Sequence, residues 1–392
     1  MVDHATLSNL IAPVLVPVFL EEYWQRQLLV INRDSPLFFS GILSLDDIDK
    51  IISSIKIPST HLDLSKDSAP IPKTDFCIGE EVDLPEVMNL HRSGATIILR
   101  SLHRWSTPLQ AIKLSMEKCF HCPAQTNVYL TPPSNKSSPP HFDAHDIFVM
   151  QLKGSKRWRI YEVPLPLPLI SERFDPVKHP VGTVCREFTL HPGDLAYLPR
   201  GTVHEPDALE YSVHISVGVM VKTWTDLIGT MLKIASVRHV ELRKALAVSP
   251  SGGAFDSTYT LDSFASCVEF LKDPSIALEA LEYISENFIS SRDVSVAGQL
   301  RLISTGSETP SLDTLVCRRE GLIHRIRRTN GKVHLDFRRV TLSLADELEQ
   351  TVRFAAEKQS FRPRELPGEL SDADKVGFVQ RLIEEGFLII KD

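Results

Sequence analysis

Hydrophobic and polar positions change their spacing twice along this chain. Before residue 125 the apolar positions mix short helical and strand-like pieces. Leu45, Ile48, Ile51 and Ile52 share one face behind a Ser44 cap, and residues 84–92 follow Asp83 with Pro85 in the first turn. A third helix is predicted over 109–119. From 126 to 221 the chain breaks into short β-rich runs at 127–130, 147–152, 157–161, 195–198 and 212–217, separated by Pro, Gly and Asp. Such punctuation predicts an antiparallel jelly roll, whose mouth gathers inward-facing side chains from several strands.

After Trp224 the pattern turns helical again, over 226–243, 261–271 and 276–288, with a break at 249–253. A last section begins near Ser307. In it Asn330-Gly331 predicts a hairpin and 342–356 an amphipathic segment. Ser371-Asp-Ala-Asp374 starts a helix with Val376, Val379 and Ile383 on one stripe; Gly386 stops it, and 387–390 reads as a strand. Helix, tight turn and strand predict a small winged-helix module. The division is then 1–225, 226–305 and 306–392, in a mixed α+β chain.

One motif falls inside the β-rich section. His141-Phe142-Asp143 places two metal-binding side chains at i and i+2, on one face of a strand, with Phe142 packed opposite. His204, on a later strand, completes a two-His-one-carboxylate set. This is the facial triad of non-haem Fe(II), with the opposite metal face open to a cosubstrate and O2. His145 and Asp146 lie close by, but Asp146 is out of phase with Asp143 and is expected to hydrogen-bond around the site instead. His191-Pro-Gly-Asp194 reads as a turn. Asn127 and Tyr129 share a strand face, as do His214 and Ser216; the latter pair either points into the barrel or belongs to its core.

Composition narrows the class. The 392 residues carry a net charge of -7, which argues against whole-protein attraction to nucleic acid or an anionic membrane. Six cysteines are too sparse for a disulfide framework, and Cys119-Phe-His-Cys122 lacks a second pair to complete a zinc site, so ordinary buried thiols are expected. The apolar run at 10–20 is broken by Pro13 and Pro17 and is too short for a membrane span. A cytoplasmic protein with no membrane contact is the expectation. The basic stretch 318–339 has no interleaved aromatics, which favours a solvated or protein-docking face over nucleic-acid binding.

The residues around the motif carry a resemblance. Thr131-Pro-Pro, the run from Pro140-His-Phe-Asp to Lys-Gly-Ser-Lys-Arg-Trp158, and Leu190-His-Pro-Gly-Asp to Thr-Val-His204-Glu resemble the JmjC-type ribosomal oxygenases of the cupin superfamily. Ser212-Val-His-Ile-Ser and Thr223-Trp-Thr-Asp fit as well. The resemblance implies a double-stranded β-helix that holds Fe(II) and 2-oxoglutarate and hydroxylates a side chain of a protein substrate, a ribosomal protein by family. It implies that Lys156 anchors the distal carboxylate of 2-oxoglutarate and that Asn127 and Tyr129 line the cosubstrate pocket, with His214 and Ser216 nearby. By the same analogy the helical section makes a homodimer; its apolar residues (Leu227, Met231, Leu232; Leu278, Leu281, Ile284) equally fit an internal core. The rival readings are an oxygenase of the same fold acting on a biosynthetic peptide or small molecule, a lysine demethylase, and a non-enzymatic metal-binding scaffold.

Overall fold

The computed structural model describes residues 5–391 other than 134, 136, 137, 293–299, 301–303, 305–309 and 320. It divides into two compact units, which meet in sequence at Val221 and Lys222. The expected boundary near Ser307 lies outside the described residues.

In the first unit the chain forms β1 (Leu29–Ile31), β2 (Leu62–Lys66), β3 (Ala69–Ile71), β4 (Cys77–Ile78), β5 (Glu81–Val82), β6 (Thr96–Leu99) and β7 (Ala124–Thr131). The jelly roll continues with β8 (Asp146–Lys153), β9 (Lys156–Tyr161), β10 (Val184–Leu190), β11 (Leu195–Leu198), β12 (His204–Ala208) and β13 (Ser212–Val219). A large sheet has the order β1-β11-β8-β13-β7-β6-β2-β3, and a small one the order β10-β9-β12.

Strand alternation sorts the side chains into two cores. Phe148 and Met150 of β8 point to the outer face of the large sheet, with Val213, Ile215 and Val217 of β13. Phe19 and Tyr197 pack against Phe148 there, Trp24 stacks on Tyr197, and Phe19 lies edge-on to Tyr197 at 4.9 Å. Ile147 and Val149 point the other way and join Trp158, Ile160 and Leu190 between the sheets. The predicted helices are present as Leu45–Ser54, with a full Ser44–Asp47 capping box, Leu84–Arg92 with its Asp83 cap, and Thr107–Phe120. The His191–Asp194 turn is structural: the Asp194 carboxylate accepts from the His191 and Arg33 amides at 2.8 and 2.6 Å.

In the second unit the helices Trp224–Arg238 and Pro274–Ser290 share a core of Met231, Ala235, Ile276 and Ala280, against which Leu227 packs. The last section holds β14 (Val316–Arg318), β15 (His324–Thr329), β16 (Lys332–Phe337), β17 (Val340–Ala345), β18 (Ser360–Phe361) and β19 (Leu388–Ile390). The hairpin turns at Asn330-Gly331 as predicted, both residues having positive φ. The amphipathic segment 342–356 is not one helix; it divides into the end of β17 and the helix Glu349–Glu357. Leu342 and Leu344 follow the two-residue strand period, while Val352, Ala355 and Ala356 follow the helical one.

The basic stretch also differs from a solvated face. Asp336, buried on β16, accepts from Arg325 Nη2 at 3.1 Å, Arg327 Nε at 2.7 Å and Thr341 Oγ1 at 2.8 Å. Burial opposes ionisation of Asp336, but these bonds outweigh it and hold the carboxyl below its usual range. Arg328 pairs with Asp346, and Arg319 Nε donates to the Gly386 carbonyl. Asp336→Asn is expected to lower the stability of the second unit by about 1.5–3 kcal/mol at neutral pH, the usual worth of hydrogen bonds to a charged group. Because the folded carboxyl is depressed, the contribution is complete above the unfolded value of about 4 and disappears as pH falls through the folded value. Urea unfolding of the two proteins across pH checks this; equal midpoints at pH 7 would refute it.

The cysteines form no disulfide, and Cys122 is the buried one; Cys119 and Cys185 are exposed, contrary to expectation. Among the described residues no helix is long and apolar enough to cross a membrane.

Candidate metal and cosubstrate site

The triad assembles where the two sheets meet, and not on a regular strand as the i, i+2 spacing suggests. His141 precedes β8 and forms an isolated antiparallel bridge with His204, the first residue of β12. Their backbones exchange both hydrogen bonds, His141 N to His204 O at 3.2 Å and His204 N to His141 O at 2.9 Å. Directly opposed residues present their side chains to the same face. The rings consequently lie 4.6 Å apart, and Asp143 Oδ2 is 3.9 Å from His204 Nε2. One ligand atom from each of the three side chains lies within 4.8 Å of the others.

The hydrogen bonds around the imidazoles prepare them for a metal. His141 Nδ1 lies 2.8 Å from the Pro139 carbonyl, and His204 Nδ1 lies 2.9 Å from the Thr202 carbonyl. A carbonyl only accepts, so both Nδ1 atoms carry the proton and both Nε2 lone pairs are left for a cation. Burial and the neighbouring His141 push His204 well below the usual histidine range, so it is neutral near pH 7. Burial opposes ionisation of Asp143, but His145, His141 and His204 outweigh it and favour the carboxylate. Two nitrogen lone pairs and one carboxylate suit a divalent metal.

Asp146 begins β8 facing the outer core, where Tyr197 Oη donates to it at 2.6 Å. It is neither a metal ligand nor bonded to one. His145 packs against Gly218, where a Cβ would overlap its ring.

Deeper in the barrel, β7 and β13 place Asn127 opposite Ser216, Tyr129 opposite His214 and Thr131 opposite Ser212. These side chains lie on the inner face, since the alternate residues Val213, Ile215 and Val217 belong to the outer core. Tyr129 stacks on His214 with centroids 4.6 Å apart. Burial and Asp143 push the Tyr129 phenol up to about 12, so it remains a neutral donor. Asn127 also has a structural duty: its Oδ1 accepts from the amide of Ser101, a residue in the left-handed conformation.

Alternation on β9 separates Lys156 from its cationic neighbours. Lys156 is fully buried, with Nζ 3.0 Å from Thr131 Oγ1 and 3.4 Å from His214 Nδ1. Arg157 points outward and pairs with Asp207 at 2.6 Å, and Lys153 is exposed at the hairpin. Burial lowers the Lys156 ammonium to about 7, with Asp207 opposing the shift. The same burial, with Lys156 adjacent, keeps His214 neutral. Trp158, next inward on β9, keeps a buried indole N–H with no hydrogen-bond partner among the described residues. A buried cation, a hydroxyl and a spare N–H in one interior form a receptor for an anionic ligand. Sequence reasoning assigned no role to Thr131 or Trp158. The two-residue alternation from Tyr129 and from Lys156 reaches both.

Residues 103–227 match the JmjC domain family. Ribosomal oxygenase 2 of Mus musculus is 30% identical over 226 residues, covering 56% of this chain and 48% of its own length. Ribosomal oxygenase 1 of Gallus gallus is 31% identical over 62% of this chain and 42% of its length. A bifunctional lysine-specific demethylase and histidyl-hydroxylase NO66 of Aedes aegypti is 28% identical over 64% and 41%. The chain thus spans less than half the length of these relatives. The fold of the Escherichia coli ribosomal oxygenase YcfD, solved in complex with cobalt and 2-oxoglutarate, matches 96% of this chain and 98% of that one with a TM-score of 0.54 at 18% identity. Residues 103–227 are thus similar to JmjC domains, and the chain over its matched span is similar to the ribosomal oxygenases.

Proposed function

We propose that this protein is an Fe(II)- and 2-oxoglutarate-dependent oxygenase that hydroxylates a side chain of a ribosomal protein. The observation that carries the reading is the triad His141, Asp143 and His204, both Nδ1 hydrogens committed to carbonyls, in the same barrel as the buried Lys156. Bound Fe(II) and 2-oxoglutarate supply the O2-dependent oxidation, with succinate and CO2 as coproducts. His141, Asp143 and His204 hold the metal. Lys156, with Thr131, receives the distal carboxylate of the cosubstrate. Tyr129, His214, Asn127 and Ser216 line the space between, and the surrounding apolar core excludes water. The ribosomal substrate rests on the relatives' names; a cytoplasmic location goes with it.

A homodimer formed through the helical section and a winged-helix role for the last section belong to the same proposal. Leu232, Leu278 and Leu281 support the dimer, since the last two are 63% and 51% exposed on one helix. Nucleic-acid binding is not favoured, because Arg319, Arg325, Arg327 and Arg328 are engaged within the unit.

The test is succinate release from 2-oxoglutarate with Fe(II), ascorbate and air, with and without a ribosomal-protein fraction. Turnover that depends on Fe(II), rises with the fraction and adds oxygen mass to one of its proteins is expected. Turnover indifferent to the fraction moves the substrate to a small molecule or biosynthetic peptide. Bound metal without turnover leaves a scaffold.

A further inference from the structure

Asp143 lies beyond the His141–His204 bridge, so no strand ladder fixes its orientation. The connection between β9 and β10, residues 162–183, packs against its neighbour Phe142 instead. Loops of this length without regular structure are commonly functional in compact domains. This one is stiffened by Pro164, Pro166, Pro168, Pro176 and Pro180. Glu162 closes its neck, with its amide donating to the Thr183 carbonyl at 3.2 Å and its carboxylate accepting from Thr183 Oγ1 at 2.9 Å.

The loop grips the ligand-bearing segment at two points. Phe142, between the two ligands and 3% exposed, meets the Phe174 ring edge-on at 5.2 Å and the His179 ring at 5.1 Å. The Asp175 amide donates to His179 Nδ1 at 3.1 Å and orients that imidazole. At the second point, Arg200 Nη1 donates to the Leu167 and Pro168 carbonyls at 2.9 and 2.6 Å. Leu167 has φ +48°, a conformation costly for a branched residue that persists only where its surroundings hold it. The next residue, Gly201, donates its N–H to the Asp143 carbonyl at 3.0 Å. A Cβ on Gly201 would lie 2.6 Å from Leu165 O and 2.7 Å from Pro168 Cδ, so the loop seats directly on this turn.

We propose that residues 162–183 form a positioning clamp for the metal ligands, acting through Phe174 and His179 on Phe142 and through Arg200 on the Gly201 turn. The proposal rests on the metal reading of the triad. Its test is Co(II) affinity against a competing chelator, with the visible spectrum of the Co(II) protein, measured well below the unfolding temperature of each metal-free variant. Phe174→Ala is expected to weaken Co(II) about 10–100-fold, the range for residues that orient metal ligands, and to shift the spectrum. Phe174→Leu recovers most of the loss. Val177→Ala, at a loop position 88% exposed, behaves as wild type. His179→Ala, which removes the smaller of the two rings on Phe142, gives a smaller change in the same direction and serves if Phe174→Ala does not fold. Unchanged Co(II) affinity and spectrum in Phe174→Ala, or in His179→Ala where that variant stands in, overturns the clamp. Failure of the wild type to bind Co(II) overturns the triad reading, and the clamp with it.

Discussion

Asp143→Ala is expected to abolish Fe(II)-dependent succinate formation and to weaken metal binding by more than about 10²-fold. The magnitude follows from comparison: removing a residue that merely orients a ligand costs 10–100-fold, and losing the ligand itself exceeds that. Asp143 is the one anionic member of the triad, so the substitution leaves two imidazoles and no carboxylate to oppose a divalent cation. The fold survives, because the His141–His204 backbone bridge does not use the Asp143 side chain and the Gly201 amide bonds its carbonyl, which alanine retains. Metal affinity and circular dichroism, measured together, separate loss of the site from loss of the protein. Wild-type turnover in Asp143→Ala would sink the triad.

Lys156→Ala is expected to raise the KM for 2-oxoglutarate about 10²-fold while leaving the Fe(II) requirement nearly unchanged. Breaking a buried charge pair costs about 3–5 kcal/mol, and each 1.36 kcal/mol is tenfold, so 10² is a conservative figure. Iron is spared because Lys156 contacts Thr131 and His214, not the triad. A pH dependence follows as well. The ammonium, facing His214 and within the field of Asp207, loses its proton near pH 7 in the free protein, whereas the cosubstrate carboxylate binds only the protonated form strongly. KM for 2-oxoglutarate is therefore flat below about pH 7 and climbs towards tenfold per pH unit above it, and Lys156→Ala removes the climb. An unaltered KM in Lys156→Ala would place the anchor elsewhere.

Much of this site was legible because its signals are local. Capping at Ser44 and Asp83 and the Asn330-Gly331 turn depend on residues within a few positions, so spacing alone located those elements. The same-face relation of Asn127 and Tyr129, and of His214 and Ser216, follows from the strand repeat of two. The motif around His141 picked out three side chains that do come together even though its supporting geometry was wrong: the spacing suggested a strand, and the chain uses a single bridge.

Pairing across long separations was not legible. Alternation left open whether Lys156, Arg157 or Lys153 faces inward until the β9–β12 register gave Arg157 to Asp207. The arginines of 318–339 looked solvated because nothing local marks Asp336 as their shared acceptor. The helical section read equally as core or interface, and the packing divided it, burying Met231 while leaving Leu278 and Leu281 exposed.

By itself, then, the sequence determined which elements form and which candidate ligands they carry, because backbone propensity, capping and strand alternation are set by near neighbours. The tertiary structure alone decided that His204 meets His141, that Lys156 reaches Thr131 and His214, and that a proline-rich loop grips Phe142. Those contacts join residues tens of positions apart, and the closure of the two sheets around a shared core brings them together.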